Sequence, residues 1–207
     1  RVDVESRGLG DVYKRQKLYH WKIYVVGSVE YQYPNHLFQA GYFLDKKYYD
    51  ENTIDFKHLL LSEKNQSLLK DIQNSNSVGV HIRRGDYMTK QNLVIFGNIC
   101  TQKYYHDAIR IITEKVNDAV FYVFSDDISW VQTHLDIPNA VYVNWNTGES
   151  SIYDMYLMSS CKYNIIANST FSYWAARLNK KTNMVIYPSK WYNTFTPDIF
   201  PESWCGI

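Results

Sequence analysis

Cysteine is scarce in this 207-residue chain: only Cys100, Cys161 and Cys205 are present. They are odd in number, far apart and without a C-x-x-C pair. The sequence therefore holds no disulfide framework, and a reduced, cytoplasmic setting is expected. No apolar run approaches the roughly 18–20 residues of a membrane span. Neither sign of charge dominates, with 22 Lys and Arg against 21 Asp and Glu, a formal net charge of +1. Nothing global points to nucleic acid or an anionic membrane, so any anion must be held by local placement of charge. A signal peptide, a low-complexity tract and a sequence repeat are all missing. The chain opens on Arg1 and runs polar and aperiodic from Val2 to Lys17, and residues 1–17 are expected to be a non-native or disordered leader.

Hydrophobic residues make up 45% of the chain, enough for a sizeable core, and the aromatic content is high: 19 Tyr, 9 Phe and 6 Trp. Tyr and Trp offer flat faces with a polar edge, which suits sugars and bases, and they also fill cores.

Trp21 to Val29 reads as a short strand, Phe38 to Tyr49 as irregular structure with a short helix at Lys46–Tyr49, and Leu59 to Ile72 as a helix with Ser62 as its N-cap. From Val78 the pattern becomes regular. Apolar runs at Val78–Ile82, Val120–Phe124, Ala140–Val143, Tyr163–Ala167 and Met184–Tyr187 read as strands. Helical patterns lie between them at Gln102–Lys115, Ile128–Leu135, Ile152–Ser160 and Phe171–Leu178, with a loop around Gly97. Such alternation predicts right-handed βαβ units around a parallel sheet, an α/β Rossmann-like domain over residues 77–207. Residues 18–76 are expected to be the remnant of a preceding domain.

Ligands of such sheets bind at the carboxyl ends of the strands, and three of these ends are polar clusters. The first strand runs through His81 into Arg83-Arg84-Gly85-Asp86-Tyr87. Adjacent guanidiniums need an anion or carboxylate partner, and their planar forks match phosphate oxygens. Gly85 lets the backbone approach a ligand closely. The competing readings are a surface turn, in which Arg83 or Arg84 pairs with Asp86, and integrin-type recognition through Arg84-Gly85-Asp86. The second strand ends in Ser125-Asp126-Asp127, cap residues for the next helix that also leave carboxylate to spare for base N–H groups or ribose hydroxyls. The third cluster, Asn168-Ser169-Thr170, stands at a helix start, where free N–H groups and hydroxyls suit phosphate or simply cap the helix. It is also a glycosylation sequon, as is Asn65-Gln66-Ser67. Together, two arginines, a helix N-terminus and a carboxylate pair on one sheet edge are what a nucleoside diphosphate needs.

These segments resemble glycosyltransferase family 11, the α-1,2-fucosyltransferases. Val78 to Tyr87 is similar to the family's donor-binding motif and Phe121 to Trp130 to its second motif. Asp154 to Cys161, with Ile165 to Trp174, is similar to the third. Gly41-Tyr42-Phe43 matches a weaker landmark, and Pro188 to Tyr192 with Pro201 to Trp204 resembles the family's ending. The Gly-Gly-Leu-Gly-Asn-Gln-type opening has only a faint echo in Gly8-Leu9-Gly10. The resemblance implies the C-terminal, donor-binding half of a GT-B-like enzyme whose N-terminal, acceptor-side domain is largely missing.

It further implies inverting transfer of L-fucose from GDP-β-L-fucose to the 2-hydroxyl of a terminal galactose on a glycan acceptor. Arg83 and Arg84 then face the diphosphate, with Asp86 orienting an arginine, as the catalytic set. His81, Ser125, Asp126, Asp127, Asn168, Ser169, Thr170 and Phe171 form the donor-binding set, His81 and the Asp126/Asp127 pair holding the guanosine. Fixed cations aimed at the departing diphosphate lower the barrier, so no metal or other cofactor is expected.

Overall fold

The computed structural model describes Phe56 and residues 58–207. The expected strand at Trp21–Val29, the Lys46–Tyr49 helix and the Gly41-Tyr42-Phe43 landmark lie outside the described residues. The compact unit formed by residues 54–196 and 200–207 contains every element below.

Ser62 starts the first helix: its hydroxyl oxygen accepts from the Asn65 N–H at 3.3 Å, and α1 runs Glu63–Asn74. Its apolar stripe buries Leu68 and Ile72. Strand β1 follows at Asn76–Ile82, and every residue after Asn76 is buried, as befits a strand covered on both faces. The remaining strands are β2 (Ala119–Ser125), β3 (Ala140–Val143), β4 (Tyr163–Ile165), β5 (Met184–Tyr187) and β6 (Cys205–Gly206). They form one sheet in the order β3-β2-β1-β4-β5-β6, parallel throughout. The α/β, Rossmann-like parallel sheet expected from the sequence is the fold observed.

Alternation along the strands sorts the core onto two faces. Val78, Val80, Ile82, Phe121 and Val123 join Tyr104, Tyr105, Ala108, Ile109 and Ile112 of α3 (Gln102–Lys115), together with Val131 of α4 (Ile128–His134). Tyr122 and Phe124 join α1, Leu157 and Met158 of α5 (Ser151–Ser159), and Ala175 and Ala176 of α6 (Thr170–Arg177). Helix α1 thus shares the core of the sheet, although the sequence pattern grouped it with residues 18–76. Gly79 of β1 permits close packing on this second face: a Cβ there would lie 2.8 Å from Asn164 Nδ2 and 3.0 Å from Met158 Cγ.

Three features differ from expectation. The loop around Gly97 contains a 3₁₀ turn at Gly85–Met88 and a helix, α2, at Lys90–Phe96. The strand expected at Tyr163–Ala167 leaves the ladder after Ile165. A two-residue strand, β6, closes the far edge on β5.

The topology places a crevice. From β1 the chain lays β2 and then β3 on one side, then crosses to lay β4, β5 and β6 on the other. The order reverses between β1 and β4, and connections leaving these two ends diverge, opening a gap at their carboxyl termini. Two adjacent tyrosines of α3 pin that gap. The Tyr105 hydroxyl donates to the His81 carbonyl at 3.1 Å, and the Tyr104 hydroxyl donates to the Ile166 carbonyl at 2.6 Å.

Candidate functional site

Strand register brings the first two clusters together. Ile82 pairs with Ser125, so Arg83 and Arg84 leave β1 beside Asp126 and Asp127 leaving β2. Arg83 is gripped twice: Nη1 lies 2.7 Å from Asp126 Oδ2, and Nη2 pairs with Asp86 Oδ1. Asp126 Oδ1 also accepts from the Arg84 backbone N–H at 2.8 Å. Gly85 makes this possible, because a Cβ at that position would run into the Asp126 carboxylate.

Arg84 is held differently. Its Nε lies 3.2 Å from Asp127 Oδ2, and its guanidinium carbon lies 3.7 Å above the centre of the Trp130 ring. Trp130 in turn stacks on His134 at 4.5 Å. Asp127 is also the N-cap of α4, accepting from the Trp130 N–H at 3.1 Å, while Ser125 Oγ accepts from the Asp127 N–H at 3.0 Å. The carboxylates expected to stand free for a base are therefore occupied by the two arginines and by helix capping. Among the described residues Arg84 uses only Nε on a carboxylate, so both Nη groups keep their donors for another acceptor.

His81 sits beneath this pair, buried, with its ring centroid 5.0 Å from that of Phe171. Burial first, and the neighbouring Arg83 second, lower its pKa to about 3, so the imidazole is neutral. Its Nδ1 is buried with no hydrogen-bond partner among the described residues. Buried polar atoms are nearly always satisfied, so such an orphan calls for an explanation.

The third cluster divides its work. Asn168 is 2% exposed and acts as an internal staple. Its Nδ2 donates to the Trp191 carbonyl at 3.0 Å and the Phe96 carbonyl at 3.3 Å, and its Oδ1 accepts from the Cys100 thiol at 3.4 Å. Burial pushes that thiol up to about 12, which keeps it a donor. The Asn168 carbonyl accepts from the Tyr87 hydroxyl at 2.9 Å, tying this loop to the arginine loop. Ser169 occupies the N-cap position of α6 but makes no capping bond; Ser172 instead folds back to accept from the Ala167 N–H at 3.2 Å. Ser169 is buried, and Phe171, in the first turn of α6, lies beside His81. Asn65 and Asn168 are both buried and hydrogen-bonded, so neither sequon presents an accessible amide.

The sequence pattern did not single out Tyr87, Trp130, Tyr104, Tyr105 or Asp154 as site residues. Asp154, in the first turn of α5, is almost fully buried, and burial raises its carboxyl to about 7, offset in part by a hydrogen bond from Asn146. Asn146 Nδ2 donates to Asp154 Oδ1 at 2.6 Å. The buried Asn65 amide joins the same network, its Oδ1 accepting from Trp145 Nε1 at 2.7 Å. A lone Asp in an otherwise apolar helix was the available signal. No group of three or more His, Cys, Asp or Glu among the described residues is placed to hold a metal ion, and no helix among them is long and apolar enough to cross a membrane.

Comparison with known proteins gives a consistent match. The sequence profile of glycosyl transferase family 11 covers residues 16–207. The chain is similar to an alpha-1,2-colitosyltransferase of Escherichia coli, 35% identical over 196 residues, covering 87% of this chain and 63% of that protein. It is similar to the O-antigen biosynthesis glycosyltransferase WbnK of Escherichia coli, 44% identical over 122 residues, covering 58% and 40%. It is also similar to galactoside alpha-(1,2)-fucosyltransferase 2 of Pongo pygmaeus, 28% identical over 163 residues, covering 72% and 48%. The chain thus spans less than two thirds of the length of each of these relatives. Among solved structures, fucosyltransferase NodZ from Bradyrhizobium aligns with a TM-score of 0.39 at 18% identity, covering 55% of this chain and 39% of that one.

Proposed function

The chain belongs to glycosyltransferase family 11, and from that premise we propose that its crevice between β1 and β4 binds GDP-fucose for transfer to the 2-hydroxyl of a terminal galactose. The observation that carries this reading is the state of Arg84. It is fixed in place by Asp127 and Trp130, yet both Nη groups keep their donors. A guanidinium oriented in advance in this way meets a phosphate without first reorganising.

In this reading Arg84 and Arg83 take the diphosphate, and the Ser169 hydroxyl and the first turn of α6 add donors from the opposite wall. Asp86, Asp126 and Asp127 position the guanidiniums and do not touch the base. These three carboxylates outnumber the two guanidiniums, so in this reading the diphosphate is held by directed N–H donors and not by net positive charge. The guanosine falls to the second face of the sheet, where His81 is buried. Neutral His81 offers Nδ1 as an acceptor or donor according to tautomer.

Transfer breaks the bond between fucose C1 and the β-phosphate oxygen. The oxygen of the galactose 2-hydroxyl forms the new bond from the opposite face, and its proton is lost to a base. As the C1–O bond lengthens, charge grows on the departing phosphate, and the two guanidiniums stabilise that charge more than the ground state. The cationic demand of the leaving group is met by these arginines, so we assign no role to a divalent ion.

A second donor, GDP-colitose, is favoured by the similarity to the colitosyltransferase. Colitose is fucose without its 3-hydroxyl, so the two donors share the nucleotide and differ at one sugar position. Competition between GDP-fucose, GDP-colitose, GDP-mannose and a UDP-sugar for labelled GDP tests both readings. Displacement by guanosine donors alone supports the nucleotide assignment, and equal displacement by the UDP-sugar rejects it.

A further inference from the structure

A guanidinium can be held by its edge, through N–H groups, or by its face, through a ring, and the two arginines of the site divide these modes. Arg83 is held by its edge: Nη1 lies 2.7 Å from Asp126 Oδ2, and Nη2 pairs with Asp86. Arg84 gives one edge donor, Nε, to Asp127 at 3.2 Å and lays its face on Trp130, with Cζ 3.7 Å from the ring centre. At that separation the guanidinium and the indole are in van der Waals contact, which requires their planes to lie close to parallel. A face contact consumes no N–H, so the hydrogens on both Nη groups stay available.

One helix builds the support under Arg84. Asp127 caps α4 and accepts from the Trp130 N–H at 3.1 Å, so the edge partner and the face partner of Arg84 stand at the same helix end. His134 follows one turn later. Its ring lies 4.5 Å from that of Trp130 with the planes 10° apart, and its Nδ1 lies 2.9 Å from the Trp130 carbonyl. Two groups this close to one ring centre cannot share a face, so the indole is sandwiched between Arg84 and His134. Trp130 is half-buried against the core face that β1, β2 and α3 build, whereas His134 is exposed. Without the indole face, Arg84 is free to turn about its Cδ–Nε bond and give Asp127 a second N–H, the paired geometry that a carboxylate prefers. Its fork would then be spent inside the protein.

We propose that Trp130, backed by His134, is a positioning residue of the donor site: the stack holds Arg84 by its face and keeps its fork turned from Asp127 toward phosphate. The proposal rests on the donor reading for the identity of the ligand. Trp130 acts through Arg84 alone, so its effect is non-additive. Once Arg84 is removed, nothing remains for Trp130 to position, and a change at Trp130 costs no further affinity. The requirement at residue 130 is a π-face, which a phenyl ring supplies and an aliphatic side chain does not.

The test uses the full chain, calorimetry with GDP, and NMR of nitrogen-labelled arginine side chains. In the wild type one Nε–H signal is expected to be displaced by ring current and to vanish in Arg84→Lys. Trp130→Leu should return that signal to the undisplaced range and raise the Kd for GDP by about tenfold, while Trp130→Phe should stay within about threefold of the wild type. His134→Ala, at an exposed position, should move the signal part of the way and raise the Kd by about two- to threefold. That variant keeps the test decisive if Trp130→Leu does not fold. In an Arg84→Ala background, Trp130→Leu should leave the Kd as it is. Three results overturn the proposal: an unchanged Kd in folded Trp130→Leu, equal losses in the Leu and Phe variants, or a further loss in the Arg84→Ala background. A wild-type chain that binds no GDP rejects the donor reading and the positioning role with it. The Nε–H signal tells the two failures apart, being displaced when only the ligand is wrong and undisplaced when the stack itself is.

Discussion

Arg83 Nη1 and Asp126 Oδ2 lie 2.7 Å apart, an ion pair that bridges the carboxyl ends of neighbouring strands. It exists because Ile82 and Ser125 are in register and because residue 85 has no side chain. Each of the two arginines is held by carboxylates.

Gly85→Ala tests that arrangement. The added Cβ meets the Asp126 carboxylate, which must swing away and release Arg83. Gly85 is exposed, so the expected cost in stability is small, within about 1 kcal/mol. GDP affinity is expected to fall by about tenfold. Thermal melts and calorimetry on the same preparation check both halves.

Asn168→Ala is expected to act through the fold. It removes donors from the Trp191 and Phe96 carbonyls and an acceptor from Cys100, all at a buried site. Stranding buried partners costs about 1–3 kcal/mol, so the midpoint of denaturant unfolding should fall with an unchanged slope. Asn168→Asp should be worse, because it places a carboxylate against two carbonyls.

How much of this was legible in the sequence depends on whether the determinant is local. β3 and β5 have the expected limits, β1 and β2 run slightly longer than their apolar cores, and α3 matches at both ends. Local apolar patterning and caps such as Ser62 and Thr101 account for that. Helix α2 was not legible, since Leu93-Val94-Ile95-Phe96 has no amphipathic period and its last carbonyls are closed by Asn193, about a hundred residues away. β6 is too short to leave a pattern. At the site, residue types and strand ends were readable, so the clusters were found. The Arg83–Asp86 pair, three residues apart, was readable too; the partners Asp126 and Asp127 were not, because they reach Arg83 and Arg84 through strand register.

Asn193→Ala follows from the same distant cap. Amide hydrogen exchange at Leu93–Gly97 should quicken by at least about tenfold, from loss of roughly 1–2 kcal/mol of local stability, with the sheet amides unaffected. Uniform protection across the chain would show that α2 does not need this cap.

Two buried groups make opposing contributions to stability against pH. The folded-state pKa of His81 is about 3 against 6.5 unfolded, so the unfolded chain binds the extra proton in that interval and stability falls as pH drops from 6.5. The folded-state pKa of Asp154 is about 7 against 3.8 unfolded, so the folded chain binds the extra proton and stability falls as pH rises from about 4 to 7. Each contributes a slope of at most about 1.4 kcal/mol per pH unit, and between pH 4 and 6.5 the two oppose one another. Asp154→Asn should leave a melting temperature that rises across this interval, and His81→Asn one that falls. Parallel profiles for the two variants would contradict the assignment.

The most direct measurement is the calorimetric affinity for GDP of the wild-type chain, Arg83→Ala and Arg84→Ala, each verified as folded by circular dichroism. Loss of a charge-assisted contact of about 1.5–3 kcal/mol predicts a Kd raised by roughly ten- to a hundredfold in each variant. GDP affinity unchanged in both folded variants would contradict a diphosphate site built on these arginines.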